Sequence, residues 1–575
     1  MCGIAGYLSA RPDRATVELM CNQLRHRGPD GSGVWLGNGV ALGRQRLSII
    51  DVTGGAQPLS NEDGTVWVTF NGEIYNYREW KEQLLRNGHR FATHTDTEVL
   101  VHLYEEYGER IPEYLRGMFA FAIWDIRRET LFLARDRLGE KPLYYSSSVP
   151  GMTFCFASEL KALAVLRGFD KRVDREALTD FLALSYVPDP KSIYGCARKL
   201  PPGHSLTISS NGHARLSRYW QPQFHTSKHE NFDDAAEELR ALAQDAVRSQ
   251  RMSDVPLGAF LSGGVDSSSV VGIMAEASPE PVKTYSIGFS DKQYDERAYA
   301  RAVASRHKTQ HVERVLTPWM REMLPQLARY YDEPFADSSA IPMLYLARLA
   351  REGVKVALSG DGADEVFGGY TKYFKCVFEQ RVRAVVSERI RRPVFSAAAR
   401  YYPAFASLPR IFQSRMLLEN LAQDTPAAYF HTMSTFGAEA PLFLNPDLRA
   451  EVAGYVPGDL FRDKFRAVQH LAPLEQLQYV DMETYLPGDI LVKVDRATMA
   501  YSLESRAPWL DHRLIEFAGA LPPSFKLSLN RGKLILKSAM TPYLPRQVIH
   551  RAKMGFGVPR ISQSGGQPNA DHSVD

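Results

Sequence analysis

The apolar positions change their spacing along this chain, and the change divides it into two parts. Over the first 160 residues they fall in short runs bounded by turn residues: GVWLG at 33–37, TVWVTFNGEIYNY at 65–77, MFAFAIWD at 118–125 and TLFLARD at 130–136. Short β-branched and aromatic runs between Gly, Asn and Asp clusters predict strands. One stretch among them has a helical period, from about Thr95 to Gly108, with Val99, Leu100, Leu103 and Tyr104 on one face. Strands in series with segregated helices predict layered sheets with helices outside. From Val173 to about Trp220 the chain reads as a connector, with the turn-rich KLPPGHSL at 199–206. The polar QPQFHTSKHENF at 221–232 reads as a linker.

Beyond the linker, strand-like and helix-like segments alternate. A helix over about 233–250 leads into the apolar VPLGAFL at 255–261, then SGGVDSS, then another helix. VKTYSIGF at 282–289 and VKVALSG at 354–360 are further strands separated by helical segments. That alternation predicts a parallel sheet covered on both faces, in which ligands bind beyond the carboxyl ends of the strands. Two Gly/Asp-rich loops fall at such ends. A basic run, Arg381, Arg383, Arg389, Arg391 and Arg392, reads as a solvated helix face.

Composition narrows the class. A chain of 575 residues with 44% hydrophobic content has enough material for at least two cores. Charge is balanced, 69 Lys+Arg against 66 Asp+Glu, so nothing global points to nucleic acid or an anionic membrane. The five cysteines are odd in number and lack any C-x-x-C pair, which argues against a disulfide framework or a zinc site. With no secretory signal and no membrane-length apolar run, a cytoplasmic protein is expected.

Three short segments carry chemistry. Met1-Cys2-Gly3 places a cysteine where removal of the initiator methionine would leave a thiol and a free α-amine on one residue. Such an amine titrates near pH 8 and can act as a base for its own nucleophile. Leu261-Ser262-Gly263-Gly264-Val265-Asp266-Ser267-Ser268 is a strand–loop–helix turn: glycines let backbone N–H groups approach an anion, and Asp266 offers a hard oxygen to Mg²⁺. It departs from the Walker pattern. It resembles instead the pyrophosphate loop of N-type ATP pyrophosphatases, which form acyl-adenylates. The third segment, Ser359-Gly360-Asp361-Gly362-Ala363-Asp364-Glu365, packs three acidic groups among glycines at a strand end, where they would repel one another without a cation.

Taken together, these motifs and their order resemble the glutamine-hydrolysing asparagine synthetases over nearly the whole chain. The resemblance implies a class II glutamine amidotransferase part over 2–217, with an α+β N-terminal-nucleophile αββα sandwich. A linker over 218–232 and an α/β doubly wound ATP-pyrophosphatase part over 233–559 would follow, and 560–575 would be a disordered or truncated tail. Cys2 would be the glutaminase nucleophile, and Asn71 and Gly72 its oxyanion hole. Arg46, with Leu47, Ser48, Ile49 and Ile50, would hold the glutamine carboxylate, Glu73 would line the pocket and Asp96 would bind the ammonium. Arg25-His26-Arg27-Gly28-Pro29-Asp30-Gly31 matches a loop that closes over that site. Leu261 and Ile287 would contact adenine, Ser359 and Gly360 the nucleotide, and Ser262, Gly263, Gly264, Ser267 and Ser268 would surround the phosphates. Asp266 and Asp364 would hold Mg²⁺, with Asp361 and Lys533 catalytic. Asp489, Lys493, Asp495 and Arg496 fall in the same core.

Two departures bear on the acceptor. Asp361 stands where enteric and animal members carry Glu, and 332–339 reads DEPFADSS in place of their Thr-Thr-Ile-Arg segment. The expected reaction is amidation of a carboxylate with nitrogen from glutamine, driven by Mg-ATP through an acyl-adenylate. Aspartate is the foremost acceptor and another carboxylate, such as one on a saccharide, the runner-up. From a different class, a non-synthetic glutamine or nucleotide sensor is the alternative. No nucleic-acid or membrane partner is expected, and a homodimer is the candidate assembly.

Overall fold

The computed structural model describes residues 1–225, 229–316, 320–402, 415–528 and 531–551. The expected tail over 560–575, the stretch 552–559 and linker residues 226–228 lie outside the described residues.

The first half is built on two six-stranded antiparallel sheets. Its strands are β1 (Gly3–Leu8), β2 (Gly31–Gly37), β3 (Val40–Arg46), β4 (Leu59–Ser60), β5 (Val66–Ile74), β6 (Gly117–Asp125), β7 (Thr130–Arg135), β8 (Tyr144–Ser146), β9 (Phe154–Ala157), β10 (Arg198–Lys199), β11 (His204–Ser209) and β12 (Ala214–Arg218). The strand orders are β10-β8-β9-β1-β3-β2 and β12-β11-β7-β6-β5-β4.

Two-residue alternation sorts the side chains into layers. Ile4 and Leu8 of β1 meet Ala120, Ala122 and Trp124 of β6 in a core between the sheets. Ala5 and Tyr7 point the other way, onto Val17 and Met20 of the helix Arg14–Asn22. Phe119, Phe121 and Ile123 pack outward against Val99, Leu100 and Leu103 of the helix Glu98–Tyr107. Both faces of each sheet are therefore buried, which is why β6 reads as an almost unbroken apolar run. The result is the expected αββα sandwich.

The stretch from Val173 to Trp220 is not a connector. It contains the helix Arg175–Leu184, and β11 inserts between β7 and β12, extending the second sheet. Its turn residues flank strands short enough that only pairing with distant partners defines them.

The second half holds a five-stranded parallel sheet, ordered β15-β14-β13-β16-β17, from β13 (Leu257–Phe260), β14 (Lys283–Phe289), β15 (Gln310–Leu316), β16 (Val356–Leu358) and β17 (Glu504–Arg506). Ala259, Val356 and Leu358 face one core with the helices Phe232–Gln250 and Val265–Glu276. Phe260, Ile287 and Ala357 face another with Ala340–Arg351 and Leu491–Met499. Helices on both faces make the sheet doubly wound. Because β13 and β16 are parallel neighbours, their two Gly/Asp-rich loops emerge side by side.

The basic run is only partly solvated. Arg391 is buried and donates to Gln423 O at 2.6 Å, and Arg383 donates to Asn420 O at 2.8 Å. Both cations neutralise carbonyls at the end of the helix Arg415–Ala422. Among the described residues, no helix is long and apolar enough to cross a membrane.

Candidate active sites

The N-terminal centre forms where β1 and β3 of the first sheet face β5 of the second. Cys2 N donates to Asn71 Oδ1 at 2.8 Å, which fixes the orientation of the Asn71 amide. Asn71 Nδ2 is buried and makes no hydrogen bond, so the residue that holds Cys2 N also carries an uncommitted donor. Gly72 follows at a close backbone approach: a Cβ there would lie 2.1 Å from Met118 O. Arg44, a residue the motifs did not single out, donates from Nη2 to Cys2 Sγ at 2.6 Å. A full positive charge thus lies within hydrogen-bond distance of the thiol.

Arg46 is half-buried and donates to Asp51 O at 2.6 Å, anchored by the loop after Ile50. Ser48 N donates to Asp30 Oδ2, and Ile49 O accepts from Asp254 N. Asp96 does not cap the helix that follows. Its carboxylate turns inward to accept from Ile74 N at 2.9 Å, and the helix starts at Glu98, later than its period suggested. Burial, with the nearby charge of Glu504, pushes Asp96 up to about 6. Glu73 is raised too, by burial first and then by Glu504 and Asp96.

Met1 occupies the space next to these groups. Its α-ammonium pairs with Glu504 Oε2 at 2.5 Å, and its side chain packs with Leu47, Ile49, Tyr75, Met118 and Leu138. Glu504 in turn accepts from Arg506 Nε at 2.6 Å, and Arg506 lies 3.4 Å from Glu73. Glu504 and Arg506 belong to β17, so the parallel sheet of the second half supplies one wall of the first centre.

The loop with Arg27 closes the same junction. Arg27 is wholly buried, with Nε on Cys2 O at 3.1 Å, Nη1 on Glu159 at 2.7 Å, and both Nη atoms on Asp495 at 2.8 and 2.9 Å. Arg496 reaches Glu159 from the other side at 2.6 Å. Asp495 and Arg496 are thus ligands of the junction between the two halves.

The second centre is a cavity of about 1250 Å³ at the carboxyl ends of β13, β14 and β16. Leu261, Ser262, Gly264, Asp266, Ser267, Ile287, Ser359, Gly360, Asp361, Asp364 and Lys533 all line it. Gly263 and Ser268 do not. Gly263 has φ +72° and packs so closely that a Cβ would lie 2.5 Å from Ala300 N, so it shapes the turn. Ser268 is one residue too far along the helix and is wholly buried behind the loop. Ser267 Oγ accepts from Ser262 N at 3.1 Å, which ties the turn together.

Lys533, from a segment 170 residues beyond the acidic loop, places Nζ 2.6 Å from both Asp266 oxygens and 2.8 Å from Asp364. Burial works against its charge, but Asp266 and Asp364 outweigh that and hold its pKa above the usual lysine value. Two carboxylates converging on one cationic atom form a hard-oxygen donor set that suits Mg²⁺.

The far end of the cavity mixes charges. Asp361 is buried and raised by desolvation, with Asp266 and Asp364 adding to the effect. Burial and Asp364 push Glu365 up to about 7. Lys493 Nζ pairs with Asp337 at 2.7 Å, and burial with Asp337 nearby pushes Asp489 up to about 8. The 332–339 segment divides. Asp337, Ser338 and Ser339 line the cavity, whereas Asp332 pairs with Lys161 and Glu333 with Lys199 and Tyr144 in the first half.

Comparison with known proteins agrees with both centres. The family model described as asparagine synthase matches residues 238–570, and that of the glutamine amidotransferase domain matches 1–220. Glutamine-hydrolysing asparagine synthetase 1 of Bacillus subtilis (strain 168) is 36% identical, over 97% of this chain and 87% of its own length. Asparagine synthetase 3 of the same organism is 33% identical over 97% and 87%. Amidase chry2 of Gibberella zeae is 28% identical over 98% and 90%.

Proposed function

The chain belongs to the asparagine synthase family, and from that membership we propose that it makes asparagine from aspartate, with glutamine as nitrogen donor and Mg-ATP as activator. The observation that carries this is the pairing of two centres in one body: an uncommitted Asn71 donor beside Cys2, and a cavity where both nucleotide loops meet Lys533.

In this reading removal of Met1 frees the Cys2 α-amine and vacates a buried space beside Glu73 and Asp96. Cys2 Sγ attacks the glutamine amide carbon while the α-amine takes the thiol proton. Asn71 Nδ2 and Gly72 N–H receive the oxyanion, Asp96 receives the substrate ammonium and Arg46 its carboxylate. Ammonia leaves with the proton, and water then hydrolyses the thioester to glutamate.

In the second cavity an acceptor carboxylate oxygen attacks the α-phosphorus of ATP and pyrophosphate leaves. Ammonia attacks the acyl carbon, loses a proton, and AMP departs with the former carboxylate oxygen. Asp266 and Asp364 would hold Mg²⁺, which would neutralise phosphate charge. Lys533 then turns to the departing pyrophosphate.

Passage of ammonia between the centres is supported by apolar continuity. Met1, Leu47, Tyr75, Met118 and Leu138 pack in one cluster with Leu261, Ala363 and Leu510 of the second half. An amino-acid acceptor is supported by the mixture of Lys493 with Asp337 and Glu365, which offers both signs of charge to a zwitterion. The absence of an arginine from 332–339, with Lys493 already committed to Asp337, favours a second reading: a bulkier carboxylate amidated with weaker dependence on aspartate. The five free cysteines fit a reducing compartment, taken here as the cytoplasm.

ATP–pyrophosphate exchange with a panel of carboxylates tests the reading. Exchange that depends on aspartate is expected. Exchange with none of the carboxylates would overturn the adenylation step, and exchange with another acceptor alone would replace aspartate.

A further inference from the structure

Far from the nucleotide cavity, two histidines and two glutamates meet on the outer layer of the first half. Glu62 follows β4, His89 lies after the helix Tyr77–Arg86, and His102 and Glu105 sit one turn apart on Glu98–Tyr107. One ligand atom from each lies within 4.8 Å of all the others.

The distances have the pattern of a four-coordinate metal site. His102 Nδ1 is 3.2 Å from Glu62 Oε2 and 3.3 Å from Glu105 Oε2; His89 Nδ1 is 3.8 Å from the other Glu62 oxygen, Oε1, and 3.6 Å from Glu105 Oε2. A tetrahedral ion with bonds of about 2.0–2.1 Å sets its ligands about 3.3 Å apart. Both histidines present the same ring nitrogen, Nδ1, to the same two carboxylates.

The surroundings orient these groups as an outer shell would. His89 Nε2 faces Glu106 at 3.0 Å, and His102 Nε2 faces Glu98 at 3.9 Å with no hydrogen bond of its own. A carboxylate behind each imidazole is the usual support for a metal-ligating histidine. The ligating carboxylates are themselves held, Glu105 by Asn61 Nδ2 at 2.8 Å and Glu62 by Arg90 N at 3.0 Å. His102 is wholly buried, while Glu62 and Glu105 are about a third exposed, so an ion can enter from solvent.

We propose that Glu62, His89, His102 and Glu105 bind one divalent transition-metal ion of the zinc class, as a structural clamp. Mixed imidazole and carboxylate ligands in this geometry select zinc-like ions over Mg²⁺. The clamp would tie the β4–β5 turn to the helix Glu98–Tyr107, whose preceding residues include Asp96. It is separate from the Mg²⁺ that the nucleotide loops would hold.

Full-length protein carrying Cys2→Ala and Cys196→Ser, which removes the nucleophilic thiol and the partly exposed one, is dialysed against Zn²⁺ or Co²⁺ in excess Mg²⁺. One bound equivalent, an intense four-coordinate Co²⁺ spectrum and a raised melting temperature with Zn²⁺ are expected. His89→Gln and Glu62→Gln are partly exposed changes that leave the buried His102 in place, and each should abolish all three signals. Equal stoichiometry in parent and variants would overturn the proposal, as would failure of the parent to bind. Either result would leave a hydrogen-bonded network of histidines and carboxylates at this position.

Discussion

Replacing Arg27 by Met tests whether the two halves are joined through Cys2, the proposed nucleophile. The substitution keeps much of the side-chain volume and removes four hydrogen bonds, to Cys2 O, Glu159 and both oxygens of Asp495. Glu159 keeps Arg496, Lys161 and His26 as partners. Asp495 loses the ion pair it makes among the described residues, and is left as a buried carboxylate. Removing one partner of a buried pair costs about 3–5 kcal/mol. With an unfolding entropy of roughly 2.1 cal/mol/K per residue, a chain of this length shifts by about 1–2 °C per kcal/mol, so the protein should melt about 5 °C lower.

The pH dependence has a definite sign. In the native protein burial raises Asp495, but Arg27 outweighs it and holds the carboxyl below its ordinary value. That contribution is present above the unfolded pKa and lost as pH falls. Without Arg27, burial lifts the folded pKa above the unfolded one, so the variant loses stability as pH rises. The gap between the two proteins should therefore narrow on going from about pH 8 to about pH 5. Because Arg27 also holds Cys2 O, glutamine-dependent synthesis should fall about 10–100-fold, while ammonia-dependent synthesis stays within a few-fold. Calorimetry and the ratio of glutamate to amide formed are the assays. An unchanged melting temperature with an unchanged ratio would refute the reasoning.

Cys2→Ala should abolish glutamine-dependent synthesis and leave ammonium-supported synthesis intact; surviving glutaminase activity would remove Cys2 from the reaction. Asp266→Asn should lower ATP-dependent turnover by about 10²–10³ with glutaminase activity retained, and near-normal AMP formation would show that the metal is held elsewhere. In the proposed role Asp96 binds the ammonium as an anion, and with its pKa at about 6 the KM for glutamine should rise as pH falls through that value. A flat KM between about pH 5 and pH 7 would exclude Asp96 from ammonium recognition.

Local pattern was enough for elements whose own residues determine them. β6 is visible as a continuous apolar run because both its faces are buried, and Glu98–Tyr107 because its apolar residues recur at a helical period. β11 was hidden, since its six residues become a strand only between β7 and β12. The same locality limited the sites. Cys2, Asn71 and the two Gly/Asp-rich loops stand in contiguous motifs, but Arg44, Glu504 and Arg506 have meaning only after folding. Glu504 reaches the N-terminus across 503 positions. Arg391 looked like any surface arginine until its carbonyl partners, about 30 residues away, were in place. The histidine–glutamate cluster draws on three separate elements, of which only the His102–Glu105 spacing is readable along the chain.

In the proposed reaction, nitrogen released at Cys2 reaches the acyl group in the second cavity without mixing with solvent. Glutamine labelled with heavy nitrogen in its amide, supplied with aspartate, Mg-ATP and an excess of unlabelled ammonium, tests it in one experiment. The expected product is an amide carrying mostly the heavy label, with one AMP and one pyrophosphate formed per amide. Product labelled in proportion to the ammonium pool, or label released to solvent with no AMP formed, would contradict it.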